Sequence, residues 1–258
     1  MKSRIQPIVT VLLILTLAAS AFGGQRIFKN QAEAEEFFGT RITRLVTENV
    51  VVAIGEIVEA ESFRVNDVLG EHLMTENVLK VKHLMKAPEP LEEVGLIRFL
   101  TLGGIEKNVE LSDGTVSDVR ESFTDSPLYD VGEQVLLYLK PTPADLEGRD
   151  ISLIQALGEK IRIEKEGEQE IVRRFWNYVD TPLAIALRLL QMAKKHPEKL
   201  KALELEIHHL RRAGMKKEAV LQLTEQQLEA IEAGVEQWLL VESTSIFLKQ
   251  TSSPSQES

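Results

Sequence analysis

The sequence predicts an α+β fold, a small antiparallel β-barrel followed by a C-terminal helical module, on three observations. The run from Asn49 to Glu59 is β-branched, interrupted once by Gly55 and then strictly alternating, the pattern of a long bent strand. From there to Ile163 the apolar residues come in short runs separated by Gly and Pro, with no helical period among them. Beyond the Glu-rich stretch Glu164 to Glu170 the period switches from two to 3.6, which sets a domain boundary there.

The 258 residues, 43% of them hydrophobic, suffice for one domain with a large appendage or for two small ones. Thirty basic against 40 acidic side chains argue against general nucleic-acid binding, since neutralising phosphates needs clustered Lys and Arg. At the N-terminus, Met1-Lys2-Ser3-Arg4 is a positive lead, Ile8 to Ala19 an apolar core and Ala19-Ser20-Ala21 a cleavage signal, so residues 1–21 read as a secretory signal peptide. That core is shorter than the roughly 20 residues of a membrane span. The mature chain is expected to begin at Phe22, in the periplasm or outside the cell, without a transmembrane helix. Cysteine is absent, which removes disulfides, thiolate metal sites and lipidation at a new N-terminal cysteine.

Residues 22–44 form a helical lead-in, with Asn30 capping a helix through Phe38 that Gly39 ends. The barrel occupies 45–165. After the Gly55 strand, Ser62 to Glu71 reads as a polar loop around Asn66-Asp67 and Gly70. Val78 to Met85 is a second strand with Lys80 and Lys82 on its wet face, stopped at Pro88 and Pro90. Leu96 to Leu102 is a third, ending at Gly103-Gly104. Ser112-Asp113-Gly114 turns a hairpin between Val109-Glu110-Leu111 and Thr115-Val116. After Gly132, Gln134 to Leu139 is a strand, and Ile151 to Leu157 with Lys160 to Ile163 form a closing pair. Gly55, Gly103, Gly104 and Gly132 are expected to be structural. Gly55 marks a bulge or sharp coil.

The helical module spans 166–250. Thr181 caps a helix with Pro182 at its first position and a stripe of Leu183, Ala186, Leu187 and Leu190. His196-Pro197 restarts the pattern with Leu200, Leu203, Ile207 and Leu210, ended by Gly214. Thr224-Glu225-Gln226-Gln227 has capping-box spacing and opens a helix with Leu228, Ile231, Val235, Trp238 and Leu239 inward. Residues 251–258 are polar and Ser-rich, the composition of a disordered tail. The barrel, with its own strands and stops, is expected to fold without the helices.

Four features carry a resemblance: Val50-Val51-Val52 with Gly55, Ile57 and Val58; Val81 with Leu84-Met85-Lys86; Gly103-Gly104; and Pro127, Tyr129, Gly132-Glu133 and Val135 to Leu139. In these the chain resembles exported bacterial proteins of unknown function built on a small β-barrel. Its strand order is similar to the OB-type barrel of netrin-like and metalloproteinase-inhibitor modules. The resemblance covers Leu45 to Ile163 and implies an OB-like barrel and export. The chain departs from it at Lys86-Ala87, where lysine-glycine is expected, and in having none of the stapling cysteines. It carries over no catalytic residue, because inhibition by those modules uses an N-terminal cysteine.

Motifs for chemistry are sparse. Glu204 and His208 stand four apart on a helix and could offer two metal ligands, but no third or fourth ligand has matching spacing. His72 and His83 have no acidic or nucleophilic partner at a recognisable distance. Gly103-Gly104 lacks the later glycines and the Lys-Ser/Thr of a phosphate loop. Asp113, Asp118, Glu121 and Asp125 match no calcium loop and read as a solvated acidic region. No catalytic residue, metal site or cofactor is assigned.

Charge is the remaining signal. From Arg188 to Lys217 the chain has nine basic and three acidic residues, within a strongly acidic whole. Lys194, Lys195, Lys199, Arg211, Arg212, Lys216 and Lys217 are the candidate contacts for an anion or a partner. Such a block docks on the acidic barrel, faces an anionic membrane or polyanion, or is simply a solvated face. The expected function is that of an exported, non-enzymatic binding or scaffold protein for a protein or anionic envelope partner, in which loops Phe63 to Met74 and Ile105 to Tyr129 would do the binding. The alternatives are a carboxylate-dependent hydrolase and an envelope-associated assembly or stress factor using the basic helices.

Overall fold

A computed structural model describes residues 30–67, 70–88, 95–123, 126–141, 151–155 and 160–234. The signal peptide, Pro90, Asp125, Val235, Trp238, Leu239 and the polar tail lie outside them. Among the described residues the chain is α+β, with ten strands and five helices. None of these helices is long and apolar enough to cross a membrane.

Asn30 opens α1 (Gln31–Gly39) as its sequence demands, its side-chain oxygen accepting from Glu33 N at 2.9 Å. After Thr40 comes α2 (Arg41–Glu48), a helix not anticipated in the lead-in, which buries Ile42, Leu45 and Val46. β1 (Val51–Asp67) and β2 (Gly70–Lys86) then form one long antiparallel hairpin, paired from Val52↔Lys86 to Asp67↔Gly70. The stretch Ser62 to Glu71, expected as a loop, is therefore mostly strand. Phe63 and Val65 alternate with the exposed Arg64 and Asn66 and pack against the cluster of Met74, Leu100, Ile151 and Ile154, while Ser62 bonds Thr75 Oγ1 at 2.9 Å. Register shifts flank Gly55, as expected for a bulge, but its φ is ordinary. What requires glycine is proximity, because a Cβ there would collide with the Lys80 carbonyl and lie 2.9 Å from Leu79 Cγ.

β3 (Leu96–Leu102) pairs with β2, and after Gly103 the hairpin of β4 (Gly104–Glu110) and β5 (Val116–Glu121) turns at the expected Asp113-Gly114. Gly104 lets β4 cross the β1–β2 face, since a Cβ would strike Ser62 and Thr75. β6 (Gln134–Pro141) pairs along β1 from Val51↔Leu139 to Glu56↔Gln134. β7 (Leu153–Gln155) lies parallel to β3 at Leu100↔Ile154 and antiparallel to the end of β6. The pairings thus run β1-β2-β3-β7-β6 and return to β1. The sheet is mixed, not purely antiparallel.

β8 (Ile161–Glu166) does not close against β7 as expected. It takes the other end of the same β6 edge, at Val135↔Arg162 and Leu136↔Ile161, and leads out to β9 (Gln169–Trp176) and β10 (Val179–Pro182). The Glu-rich stretch read as an interdomain link is the β8–β9 hairpin turned at Gly167. Alternation explains it: Ile161, Ile163, Ile171 and Val172 are buried, while Arg173 reaches Glu164 at 2.7 Å and Glu166 at 2.5 Å on the outer face.

Three helices follow: α3 (Leu183–Lys195), α4 (Pro197–Arg212) and α5 (Lys217–Glu232). Leu200, Leu203, Ile207 and Leu210 are the buried stripe of α4, as expected. Two expected caps are corrected. Pro182, not Thr181, precedes α3, and the buried Thr181 hydroxyl instead donates to Val179 O at 2.9 Å. Thr224 lies inside α5, donating to Val220 O at 2.6 Å and accepting from Trp176 Nε1 at 2.8 Å.

Val51 to Ile54 of β1 and Val135 to Leu139 of β6 are buried on both faces. Val51, Ala53, Ile57, Val135, Leu137 and Leu139 pack with Leu79, Ile97 and Phe99 on one side. Val52, Ile54, Leu136 and Tyr138 pack on the other side with Trp176 of β9 and with Ile42, Leu189, Leu203 and Ile207 of the helical layer. A chain cut at Lys165 would lose the residues of β9 and the C-terminal helices that cover this second face.

Candidate functional site

The structure distributes the basic block. Lys194 and Lys195 occupy the last turn of α3, where cations complement the helix dipole. Arg211 donates to Met215 O at 2.5 Å, stitching down the end of α4. Lys201 pairs with Glu36 at 2.7 Å and Arg188 with Glu232 at 2.8 Å. Lys199 is exposed in the first turn of α4, and Lys216 and Lys217 stand at the start of α5. The apolar stripes, not these charges, dock the helices on the sheet.

Of the candidate residues, Arg212 lines a concave site. A groove of about 470 Å³ is lined by Gln31, Ala34 and Phe38 of α1, Tyr178 of the β9–β10 turn, and His208 and Arg212 of α4. Phe38 is 50% and Tyr178 45% exposed, unusual for aromatic rings in a chain that buries Phe99, Phe175 and Trp176 completely.

The turn that presents Tyr178 is strained. Asn177 and Tyr178 have φ of 48° and 61°, the left-handed pair of a two-residue hairpin turn, and Arg174 has φ of 49°. Asn tolerates this region, but for Tyr and Arg it costs on the order of 1 kcal/mol each. The surroundings hold the conformation. Arg174 N donates to Asp180 Oδ1 at 2.8 Å, and Trp176 N to Thr181 Oγ1 at 3.3 Å. From α2, Arg41 Nη1 donates to Arg174 O at 3.3 Å and Phe175 O at 3.4 Å. The guanidinium carbons of Arg41 and Arg174 lie 5.3 and 5.7 Å from the centre of the Tyr178 ring. Asp180 is held below the usual carboxylate range by the Arg174 amide and by Arg173, so it stays ionised and paired.

Beneath this cluster Glu204 is 2% exposed. It accepts from Ile42 N at 2.6 Å and Thr43 N at 2.9 Å, capping α2 across 162 residues of chain. Burial pushes its carboxyl up to about 7 despite those donors. Among the described residues no group of three or more His, Cys, Asp or Glu converges to hold a metal ion.

The acidic loop carboxylates serve the backbone. Asp113 accepts from Thr115 N at 3.0 Å, Asp118 from Asn108 N at 3.1 Å and Glu121 from Leu73 N at 2.6 Å. His72 is buried against Phe123, with the ring centres 6.2 Å apart. Sequence reasoning missed Phe38, Arg41, Arg174 and Tyr178. The turn lacks the Asn-Gly signature, and the groove joins three segments far apart in the chain. Comparison with known proteins finds no family model and no curated protein that matches this chain.

Proposed function

We propose that this chain is an exported, non-enzymatic binding protein in which an OB-like barrel of β1, β2, β3, β7 and β6 carries the helical layer, and that the α1–α4 groove receives an anionic amphiphile of the envelope. The observation that carries the binding reading is the exposed Tyr178 ring, bracketed by two guanidinium groups beside Phe38 and Arg212 and held by a strained turn. A guanidinium fork suits phosphate or carboxylate. The Ala34, Phe38 and Tyr178 walls suit an apolar chain. None of the described lining residues is acidic. The OB-like reading is supported by the ring of strand pairings and the parallel β3–β7 contact. A hydrolase reading gains nothing, since Asp113, Asp118 and Glu121 are each engaged by backbone amides.

The test is calorimetric titration with short-chain phosphatidylglycerol and phosphatidylcholine, both below micelle formation. The parent should bind the anionic lipid preferentially and more weakly as salt rises. Arg212→Glu and Tyr178→Ala should each reduce that binding at least tenfold. Equal binding of both lipids, or variants that bind like the parent, would remove the groove as the site.

A further inference from the structure

Among the described residues β5 pairs with β4 alone, so the other edge of this hairpin is open. Around that edge Val116 is 64% exposed, and Ile105 and Leu111 are also exposed. The hydrogen bond from Leu111 N to Thr115 O, 2.7 Å, fixes the alternation along the strand. Thr115, Ser117, Val119 and Glu121 turn their backbone groups toward β4, while Val116, Asp118 and Arg120 turn theirs to the open edge. The one irregularity, between Glu106 and Val109, puts its extra residue in β4, where Asn108 has φ of 56°. The alternation of β5 is therefore unbroken.

We propose that β5 pairs antiparallel with β5 of a second copy of this chain, making a four-stranded sheet across a two-fold axis at Val119. Outward-facing residues must meet outward-facing residues, and the charges then choose the register. Centred on Val119, each Asp118 lies directly opposite Arg120 of the other copy. A slip of one step either way sets Asp118 against Asp118 or Arg120 against Arg120, and like charges directly opposite destabilise a ladder. The open backbone groups gain partners, and two-fold symmetry makes the contact twice. So short an interface forms a weak, concentration-dependent dimer.

Sedimentation velocity of the whole chain over a concentration series tests this with charge reversals. The parent should move toward the dimer value as concentration rises. Asp118→Arg and Arg120→Asp should each stay monomeric over the same range. Mixed in equal amounts, the two variants should recover the dimer, because every 118–120 contact is again between opposite charges; the double variant should also dimerise with itself. Arg120→Asp alters none of the described hydrogen bonds, so its effect is not one of folding. A parent that stays monomeric throughout, single variants that associate like the parent, or a mixture that stays monomeric would overturn the proposal.

Discussion

Replacing Glu204 by Gln should change how stability depends on pH, with a sign opposite to that of ordinary surface carboxylates. The Glu204 carboxyl titrates at about 7 in the folded protein and near 4.5 when unfolded, chiefly because burial disfavours its charge. Between those values the native state holds a proton that the unfolded chain has lost. Stability therefore falls as pH rises through this window, by about 1.4 kcal/mol per unit and roughly 3 kcal/mol in total. Below about 4.5 and above about 7 this contribution is flat. Gln cannot titrate, keeps one oxygen for Ile42 N or Thr43 N, and presents an NH2 to the other donor at a pH-independent cost of about 1–2 kcal/mol. Urea unfolding at pH 4.5, 6, 7 and 8 should show the variant weaker at the acid end, with the gap closing and reversing by pH 8. The lowered carboxylates Glu36, Glu106, Asp113 and Asp180 act at lower pH and are common to both proteins. A constant gap at all four pH values would mean that Glu204 does not titrate in this range, and the account of its burial would fail.

Gly55→Val should cost at least about 3 kcal/mol, through collision with the Lys80 carbonyl, and Glu56→Val under about 1 kcal/mol; equal melting shifts would refute the close approach. A chain ending at Lys165 should show no cooperative unfolding, because Val52, Ile54, Leu136 and Tyr138 lose the layer that covers them; a sharp calorimetric transition would show that the strands β1 to β7 stand alone. Thr224→Val should cost about 1–2 kcal/mol by leaving the buried Trp176 indole N–H without its acceptor, measured by denaturant midpoint. Tyr178→Gly should keep or slightly raise stability, since glycine relieves the left-handed strain, while abolishing lipid binding; a loss of both together would mark the ring as merely structural.

Local signals in the sequence were legible where a local contact satisfies them. Asn30 caps α1 through Glu33, Asp113-Gly114 turns the β4–β5 hairpin, and the α4 stripe follows its own period. Where a distant partner decides, the local reading failed. The start of α2 depends on a carboxylate from α4, so nothing near Arg41 announces it. Thr224 has capping spacing, but its hydroxyl is claimed by Val220 O and Trp176 Nε1. The Glu-rich hairpin reads as a linker because Glu164, Glu166, Glu168 and Glu170 crowd its turn, while Ile161, Ile163, Ile171 and Val172, which hold it to the core, flank that stretch. The groove was invisible for the same reason, since α1, the Tyr178 turn and α4 meet only in the folded chain.

The burial of β1 on both faces has a consequence for how the chain finds its alignment. In a one-sided sheet, a one-residue slip turns the apolar set to water, and that penalty enforces the correct pairing. From Val51 to Ile54 a slip would exchange one oily side for another, so hydrophobicity barely distinguishes right from wrong. Discrimination falls instead to steric exceptions. Only Gly55 can pass the Lys80 carbonyl, and only Gly104 can cross above Ser62 and Thr75. A frame-shifted ladder would push side chains into both gaps. These two positions without side chains, rather than the many with apolar ones, act as the notches that key β1 to its neighbours.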